Sequence, residues 1–126
     1  MIDFEKNPVF MLSPAPLDGK NALETKALLL DGEEIQYIFQ GGRDSVAFTS
    51  KRIIALNVQG LTGKKKDFSS LPYSKIQVFS VESAGTFDRD AELEIWFSGL
   101  GKVKFSFSNT VDVPVLAKMI FGYMDK

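Results

Sequence analysis

Residues 92–124, ELEIWFSGLGKVKFSFSNTVDVPVLAKMIFGYM, decide the fold class of this chain. The first half alternates apolar and polar side chains, with the period of two that is typical of half-buried strands. Leu93, Ile95 and Phe97 share one face of a first strand, and the residues from Val103 onward repeat the pattern. The second half loses this alternation and has the apolar spacing of a helix. The stretch therefore predicts an antiparallel hairpin followed by a C-terminal helix.

The hairpin also predicts one exposed aromatic side chain. Matching the two apolar faces pairs Phe97 with Val103 and leaves residues 99–101 as the loop. Trp96 then lies opposite Lys104 on the outward face, which otherwise carries mixed charges. Because Trp is enriched at binding hot spots, Trp96 is a candidate interface anchor; burial under the N-terminal part of the chain is the alternative.

The C-terminal helix has more apolar surface than one face of a sheet covers. Asp112 is suited to cap the helix and Pro114 to its first turn. One apolar stripe consists of Val113, Leu116, Ala117, Ile120 and Met124. Val115, Met119 and Tyr123 form a second stripe beside it. Either the N-terminal arm or another subunit is expected to cover this second stripe, whose three residues are candidate interface residues.

Upstream of the hairpin, the period of two predicts further strands and a total of about seven, all antiparallel. The predicted strands cover residues 35–40, 45–49, 52–58, 64–68 and 75–82. The last of these is apolar on both faces, so we expect it to be central or covered in the sheet.

The first 30 residues are predicted to form an arm and a short helix, and residues 31–126 the domain proper. Prolines within residues 1–20 exclude a continuous helix or an interior strand there. Residues 21–24 have the spacing of a capping box and open a helix that runs toward Leu30. We expect Leu23, Ala27 and Leu30 to dock this helix onto the core.

Composition excludes several classes of active site. The 126 residues include no cysteine and no histidine, so a thiolate nucleophile, a disulfide and an imidazole base or metal ligand are absent. The formal net charge of −1 gives no global attraction for nucleic acid, and no nucleic-acid partner is expected. The N-terminal residues lack the basic and apolar regions of a signal segment, and we expect a cytoplasmic protein.

Two short motifs resemble signatures of a known family. Residues 48–54, Phe-Thr-Ser-Lys-Arg-Ile-Ile, and residues 71–76, Leu-Pro-Tyr-Ser-Lys-Ile, are similar to paired motifs of bacterial pleckstrin-homology-like (PH-like) domains. The resemblance covers roughly residues 30–124 and implies a PH-like barrel capped by the C-terminal helix. It also implies assembly into homo-oligomeric rings, but no assigned chemistry. Function must then come from particular sites.

A lysine run is the candidate anion-binding site. Lys64, Lys65 and Lys66, with Lys51 and Arg52 on a neighbouring loop, could receive an anionic lipid headgroup. The simpler interpretation is a solvated hairpin whose lysines discourage edge pairing. Arg52 is expected to pair with Asp44 across the hairpin more readily than to contact a ligand. We expect Tyr73 to pack its ring against the barrel.

Catalysis finds little support in the sequence. Glu92 and Glu94 share a strand face, and Asp88 and Asp90 precede them, but such residues usually face water and lack calcium-loop spacing. We therefore predict no enzyme activity, cofactor or metal. The leading interpretation is a homo-oligomerising module that binds a protein or peptide through a strand edge or the last helix. The alternative is weak peripheral binding to anionic lipid.

Overall fold

The chain forms eight strands and two α-helices within the residues that the computed structural model describes, which are 1, 4, 9–85, 90–108 and 111–124. In chain order the elements are β1 (Val9–Pro14), α1 (Lys20–Lys26), β2 (Ile35–Gly41), β3 (Asp44–Thr49), β4 (Arg52–Gln59), β5 (Lys65–Pro72), a 3₁₀ turn (Tyr73–Lys75), β6 (Ile76–Glu82), β7 (Asp90–Phe97), β8 (Gly101–Ser108) and α2 (Val113–Met124). The prediction of a mainly β chain with a short first helix and a C-terminal helix is confirmed, with eight strands in place of about seven.

The first compact unit is a meander of β2 to β5 with α1 on one face. Each strand pairs antiparallel with the next. Ala22 of α1 packs with Ile38, Ala47 and Ile54, which are buried because the strands alternate between two faces. The turn between β2 and β3 and the loop between β4 and β5 lie at the same end of this meander.

Helix α1 differs from its sequence-based prediction in both its start and its buried face. It begins at Lys20 after Gly19, which makes no side-chain cap bond, so the predicted cap at Asn21 is wrong. Leu23, Ala27 and Leu30 are all exposed, so the predicted docking stripe is wrong, and the buried residues of α1 are Ala22 and Thr25. Because the helix ends at Lys26, Leu30 lies outside the helical repeat. Within the helix, the face that carries Ala22 and Thr25, three residues apart, is the one that packs inward, and this leaves Leu23 on the solvent side.

The second compact unit contains β1, β6, β7, β8 and α2, with strand order β1-β8-β7-β6. β6, β7 and β8 pair antiparallel as predicted, but β1 runs parallel to β8, so the prediction that all strands are antiparallel is wrong for β1. The core of this unit consists of Leu93, Ile95, Val103, Phe105, Phe107, Val113, Leu116 and Ile120, all buried. The first predicted stripe of α2 is thus the one that supplies its three buried residues.

The hairpin of β7 and β8 has a register two residues away from the predicted one. Phe97 pairs with Gly101, and Ile95 pairs with Val103. A shift of two residues keeps every side chain on its face, so alternation could not distinguish the two registers. Gly99 and Gly101 both have positive φ, and these glycines place the three-residue loop at residues 98–100, one residue earlier than predicted.

Two strands occupy places that the sequence did not predict. The prolines that argued against an interior strand before residue 20 leave residues 9–13 free of proline, and these residues form most of β1. The sequence predicts a central or covered position for β6, and the central position is wrong, because β6 is the last strand of its unit and pairs with β7. The prediction assumed that apolar residues on both faces are buried on both faces, but Val78 is exposed. The division of the chain at residue 30 stays a prediction.

Candidate functional site

Two residues of the motif at 48–54, Thr49 and Arg52, form hydrogen bonds with the buried carboxylate of Glu33. The Arg52 guanidinium donates to both carboxylate oxygens of Glu33 at 3.0 Å and to the Leu28 carbonyl at 2.6 Å. The Thr49 hydroxyl donates to Glu33 Oε2 at 2.6 Å. Burial by itself would raise the pKa of Glu33, but hydrogen bonds from Arg52, Thr49 and the Leu30 N–H, with the positive charge of Arg52, lower that pKa to about 2. Arg52 therefore has a structural role.

The predicted pairing of Arg52 with Asp44 is wrong. Asp44 accepts hydrogen bonds from the Val58 N–H at 2.8 Å and from the Asn57 amide at 3.2 Å. Arg52 and Asp44 lie at opposite ends of the meander, so their side chains have different neighbours. The sequence spacing within the hairpin suggested a contact that the strand register does not allow.

The five candidate anion-binding residues do not lie together. Arg52 pairs with Pro72 at one end of the β4–β5 hairpin, and Lys65 pairs with Gln59 at the other. The eight residues of β4 separate these ends by roughly 24 Å. Lys51 lies beside Arg52, next to the tight corner that joins β3 and β4. Anion binding by Lys64, Lys65 and Lys66 stays a prediction, but Lys51 and Arg52 are too far away to share a ligand with them.

The end of the meander that carries the three lysines also holds an open cleft of about 380 Å³. Its polar and charged lining includes Lys20, Glu24, Gln40, Arg43 and Lys66. Lys66 forms an ion pair with Glu24 at 3.0 Å. The cleft is thus a polar depression in which the cationic side chains outnumber the acidic one.

Sequence reasoning missed three residues of this cleft. Lys20 lies at the start of α1, Arg43 in the β2–β3 turn and Leu61 in the β4–β5 loop, so they are far apart along the chain. Leu61 stands between Gly60 and Gly63, and this isolated apolar residue among loop residues was the one signal that could have marked it.

The four candidate interface residues divide into two exposed and two half-buried ones. Trp96 on β7 is 46% exposed and Val115 on α2 is 39% exposed. Met119 and Tyr123 are half-buried, and the Tyr123 ring stacks on buried Tyr73 with the centroids 5.6 Å apart. The expectation that Tyr73 packs its ring inward is confirmed. Trp96 and Val115 therefore remain available to a partner, and most of Tyr123 does not.

Phe121 is the exposed apolar residue of α2 that the sequence reasoning missed. It is 67% exposed, and its ring lies 6.5 Å from that of Phe79 on β6. Lys118 marks the solvent-facing side of α2, and Phe121 follows three residues later on the same side. The position of Lys118 would have been enough to predict the exposure of Phe121.

The carboxylates considered for catalysis have ordinary surroundings where the structure describes them. Glu92 forms an ion pair with Lys104 at 3.2 Å, and Glu94 lies opposite Lys104 in the sheet. Asp88 lies outside the described residues. Among the described residues, no three His, Cys, Asp or Glu side chains come close enough together to hold a metal ion.

No helix among the described residues is both long enough and apolar enough to span a bilayer. The longer helix, α2, has 12 residues, whereas a membrane-spanning helix requires about 20.

Comparison with known proteins gives the family. The family model for the bacterial PH domain matches residues 6–124. The chain belongs to this family. The resemblance inferred from the two motifs is therefore confirmed, and so is the PH-like fold. PH-like domain families are generally non-catalytic.

Solved structures of similar proteins support the fold assignment. The chain is similar to a DUF1696 family protein with a pleckstrin-homology domain from Shewanella loihica PV-4, with a TM-score of 0.77, 36% identity and coverage of 90% of this chain and 97% of that one. It is also similar to a pleckstrin homology domain from Shewanella amazonensis SB2B, with a TM-score of 0.62, 44% identity and coverage of 84% and 86%.

A curated relative is uncharacterized protein YjqA of Bacillus subtilis (strain 168). The two are 51% identical over 76 residues, which cover 60% of this chain and 61% of YjqA. The chain thus spans about three fifths of the length of the curated relatives it matches.

Proposed function

We propose that this domain is a non-catalytic PH-like module that binds an extended protein segment and forms homo-oligomers through the edge of β6. The observation that carries the proposal is the position of β6, which pairs with β7 on one side and, among the described strands of its unit, with none on the other. An exposed strand edge offers a row of backbone donors and acceptors to another extended chain.

The sequence of β6 supports this use of its edge. Proteins commonly protect an exposed edge with lysine or proline. β5, the last strand of the other unit, has this protection, because it begins with Lys65 and Lys66 and ends with Pro72. β6 reads IQVFSVE and contains neither residue type. Its edge therefore lacks these two devices, and its one charged side chain, Glu82, lies at the end of the strand.

Exposed apolar side chains lie on both faces of the sheet near this edge. Val78 is 55% exposed and pairs with half-exposed Trp96 on the adjacent strand. On the helix side, Phe79 is in ring contact with exposed Phe121. A segment that pairs with β6 would place alternate side chains on the two faces, so apolar residues at successive positions would find partners on both. A second copy of β6 has such residues.

The absence of catalysis is supported by the chemistry of the chain. With no histidine and no cysteine, an active site would have to use carboxylate, lysine or tyrosine groups. Glu33, whose pKa is lowered to about 2, is buried and hydrogen-bonded to Arg52 and Thr49, so its carboxylate is not placed to react with a substrate.

Light scattering on the full chain at two concentrations tests the assembly. We expect a molar mass that is a stable multiple of 14.0 kDa. Val78→Lys should reduce this mass, since it adds to β6 the charge that protected edges carry. Leu23→Lys is the matched control, because Leu23 is similarly exposed but lies on α1. Its mass should equal that of the unmodified chain.

The fluorescence of Trp96 gives a second measurement, because it is the one tryptophan in the sequence and lies beside β6. Assembly through this edge should shift its emission to shorter wavelength. A mass of 14.0 kDa at both concentrations, or an oligomer that Val78→Lys leaves unchanged, would contradict the proposed edge contact.

A further inference from the structure

The edge strand β6 carries opposite charges at its two ends. Lys75 is the last residue of the 3₁₀ turn that leads into the strand, and Glu82 is the last residue of the strand itself. Both side chains are exposed, and neither forms an ion pair in the part of the chain that the structure describes. Residues 76–81 between them carry no charge. A segment that pairs with β6 therefore meets a cation at one end and an anion at the other.

The two charges are far enough apart to act separately on a partner. β6 has 7 residues, so at ~3.3 Å for each residue its ends lie roughly 20 Å apart. Salt screens exposed charges over about 8 Å at physiological ionic strength. Lys75 and Glu82 therefore each interact with the charge of the partner that lies beside them, and the order of charges along the partner matters.

The acidic end of β6 has a particular need for a cation. Glu82 lies directly opposite Glu92 on β7, and like charges in opposite positions destabilise a sheet. Glu92 has a cation of its own, because it forms an ion pair with Lys104 at 3.2 Å. Glu82 has no such partner among the described residues. A basic residue on the free side of β6 would supply this missing charge.

The centre of β6 is apolar on both faces. Val78 is 55% exposed and lies opposite Trp96, while Phe79 is in ring contact with Phe121 on the other face. Successive side chains of an added strand point to opposite faces of the sheet. Two adjacent apolar residues at the centre of that strand would therefore contact both apolar surfaces.

We propose that β6 binds an extended protein segment in the antiparallel direction, and that charge and apolar pattern define this segment. It has a basic residue toward its N-terminal end, two adjacent apolar residues at its centre and an acidic residue toward its C-terminal end. Antiparallel pairing places its basic residue beside Glu82 and its acidic residue beside Lys75. Parallel pairing of the same segment would place like charges together at both ends. This inference rests on the proposed use of the β6 edge, to which it adds the chemistry and the direction of the partner.

β6 itself has the required pattern. Lys75 precedes its apolar residues, Val78 and Phe79 are adjacent at its centre, and Glu82 follows them. The β6 strand of a second copy of the chain therefore fits this edge in the antiparallel direction. Residues 75–82, KIQVFSVE, supply a peptide with which the partner's chemistry can be tested.

Fluorescence anisotropy with the full chain tests the charge pattern. The peptide KIQVFSVE, labelled and with both termini blocked, is compared with QIQVFSVQ, in which both end charges are removed. We expect the charged peptide to bind about 4-fold more tightly at low ionic strength, since each of two exposed opposite-charge pairs contributes about 2-fold. High salt should reduce this difference. Replacing the two central apolar residues of the peptide by serine should weaken binding by at least ~10-fold.

Variants of the chain show whether Lys75 and Glu82 cause the difference. Lys75→Gln with Glu82→Gln should bind the charged and the neutral peptide equally. Lys26→Gln with Glu34→Gln is the matched control, because it removes one exposed lysine and one exposed glutamate from the other compact unit. The control should retain the full preference for the charged peptide. Circular dichroism of each variant confirms that it is folded.

Disulfide formation reports the direction of the bound segment. Because the chain contains no cysteine, Ser83→Cys and Ser74→Cys each place a single thiol at one end of β6. Both positions are exposed. Antiparallel binding should join Ser83→Cys to a peptide with cysteine added at its N-terminal end, and Ser74→Cys to a peptide with cysteine added at its C-terminal end.

Three results would overturn the inference: equal binding of the charged and neutral peptides to the unmodified chain, disulfides in the opposite combinations, or no binding of either peptide. The first two leave the proposed edge contact standing if Val78→Lys still abolishes peptide binding. If neither peptide binds and Val78→Lys also leaves the molar mass unchanged, the proposed function fails as well. The two failures are therefore distinguishable.

Discussion

Removing the buried carboxylate of Glu33 should destabilise the domain in a strongly pH-dependent manner. The side chain is 5% exposed, and its pKa falls from the ordinary value of 4.5 to about 2 in the folded chain. At about 1.4 kcal/mol for each pH unit, ionised Glu33 stabilises the folded state by about 3 kcal/mol at neutral pH. Glu33→Gln should lower the free energy of unfolding by about that amount, because Arg52 would lose its anionic partner.

The direction of the pH dependence follows from the lowered pKa. The folded state holds Glu33 ionised at a pH where the unfolded chain would already bind a proton. The stabilisation is therefore fully present above pH 4.5 and is lost progressively as the pH falls from 4.5 toward 2. The unmodified chain and the Glu33→Gln variant should differ greatly at pH 7 and little at the acid end of this range.

Urea denaturation followed by circular dichroism at several pH values measures this effect, and urea leaves the ionic strength unchanged. Glu34→Gln is the matched control, because Glu34 is the adjacent residue and is exposed. It should change the free energy of unfolding by less than about 0.5 kcal/mol. A Glu33→Gln effect below about 1 kcal/mol at pH 7, or one of equal size at pH 7 and pH 3, would refute the assignment of a stabilising buried charge.

Three further substitutions test the packing, each by its urea unfolding midpoint. Gly63→Ala should destabilise by about 1–2 kcal/mol, since φ there is +67° and the new Cβ would approach Val58; a neutral effect would contradict the left-handed, closely packed conformation at residue 63. Gly122→Ala, at an open position within α2, should instead stabilise by about 0.5–1 kcal/mol, and destabilisation would contradict a helical residue with free space around it. Leu93→Ala should destabilise by about 2–5 kcal/mol because the side chain is fully buried, and a loss below 1 kcal/mol would contradict its place in the core.

The fold was largely predictable because it depends on period and order. Alternation located most of the strands, and the loss of alternation after residue 108 located α2. What alternation cannot do is distinguish registers that differ by two residues, which is why Phe97 was paired with Val103 and not with Gly101. It also cannot say whether a strand with apolar residues on both faces is central or at an edge, as β6 demonstrates.

The surfaces were less predictable, because they bring together residues that are distant in sequence. Lys64, Lys65 and Lys66 were visible as a run, but the run gave no indication that Lys20 and Arg43 lie beside it. That proximity depends on two loops meeting at one end of the meander, which follows from strand pairing. The nearby Lys51 and Arg52 were grouped with the run because sequence distance is a poor measure of distance across a hairpin.

The motif that identified the family has a structural role. The Thr49 hydroxyl and the Arg52 guanidinium both bond to Glu33, and Arg52 also bonds to the Leu28 carbonyl. A motif whose polar groups are used inside the chain specifies how that chain folds and leaves little capacity for a ligand. Sequence similarity at these positions therefore indicates a shared PH-like fold. It does not indicate a shared binding partner.

The choice of partner must then depend on residues outside the motif. The proposed contact strand, β6, contains none of Glu33, Thr49 and Arg52. Substitution at Val78 should alter the proposed assembly without unfolding the domain, since this side chain is exposed. Substitution at Glu33 should destabilise the domain without defining a ligand. If Val78→Lys lowered the unfolding midpoint as much as Glu33→Gln does, this separation of fold from recognition would be wrong.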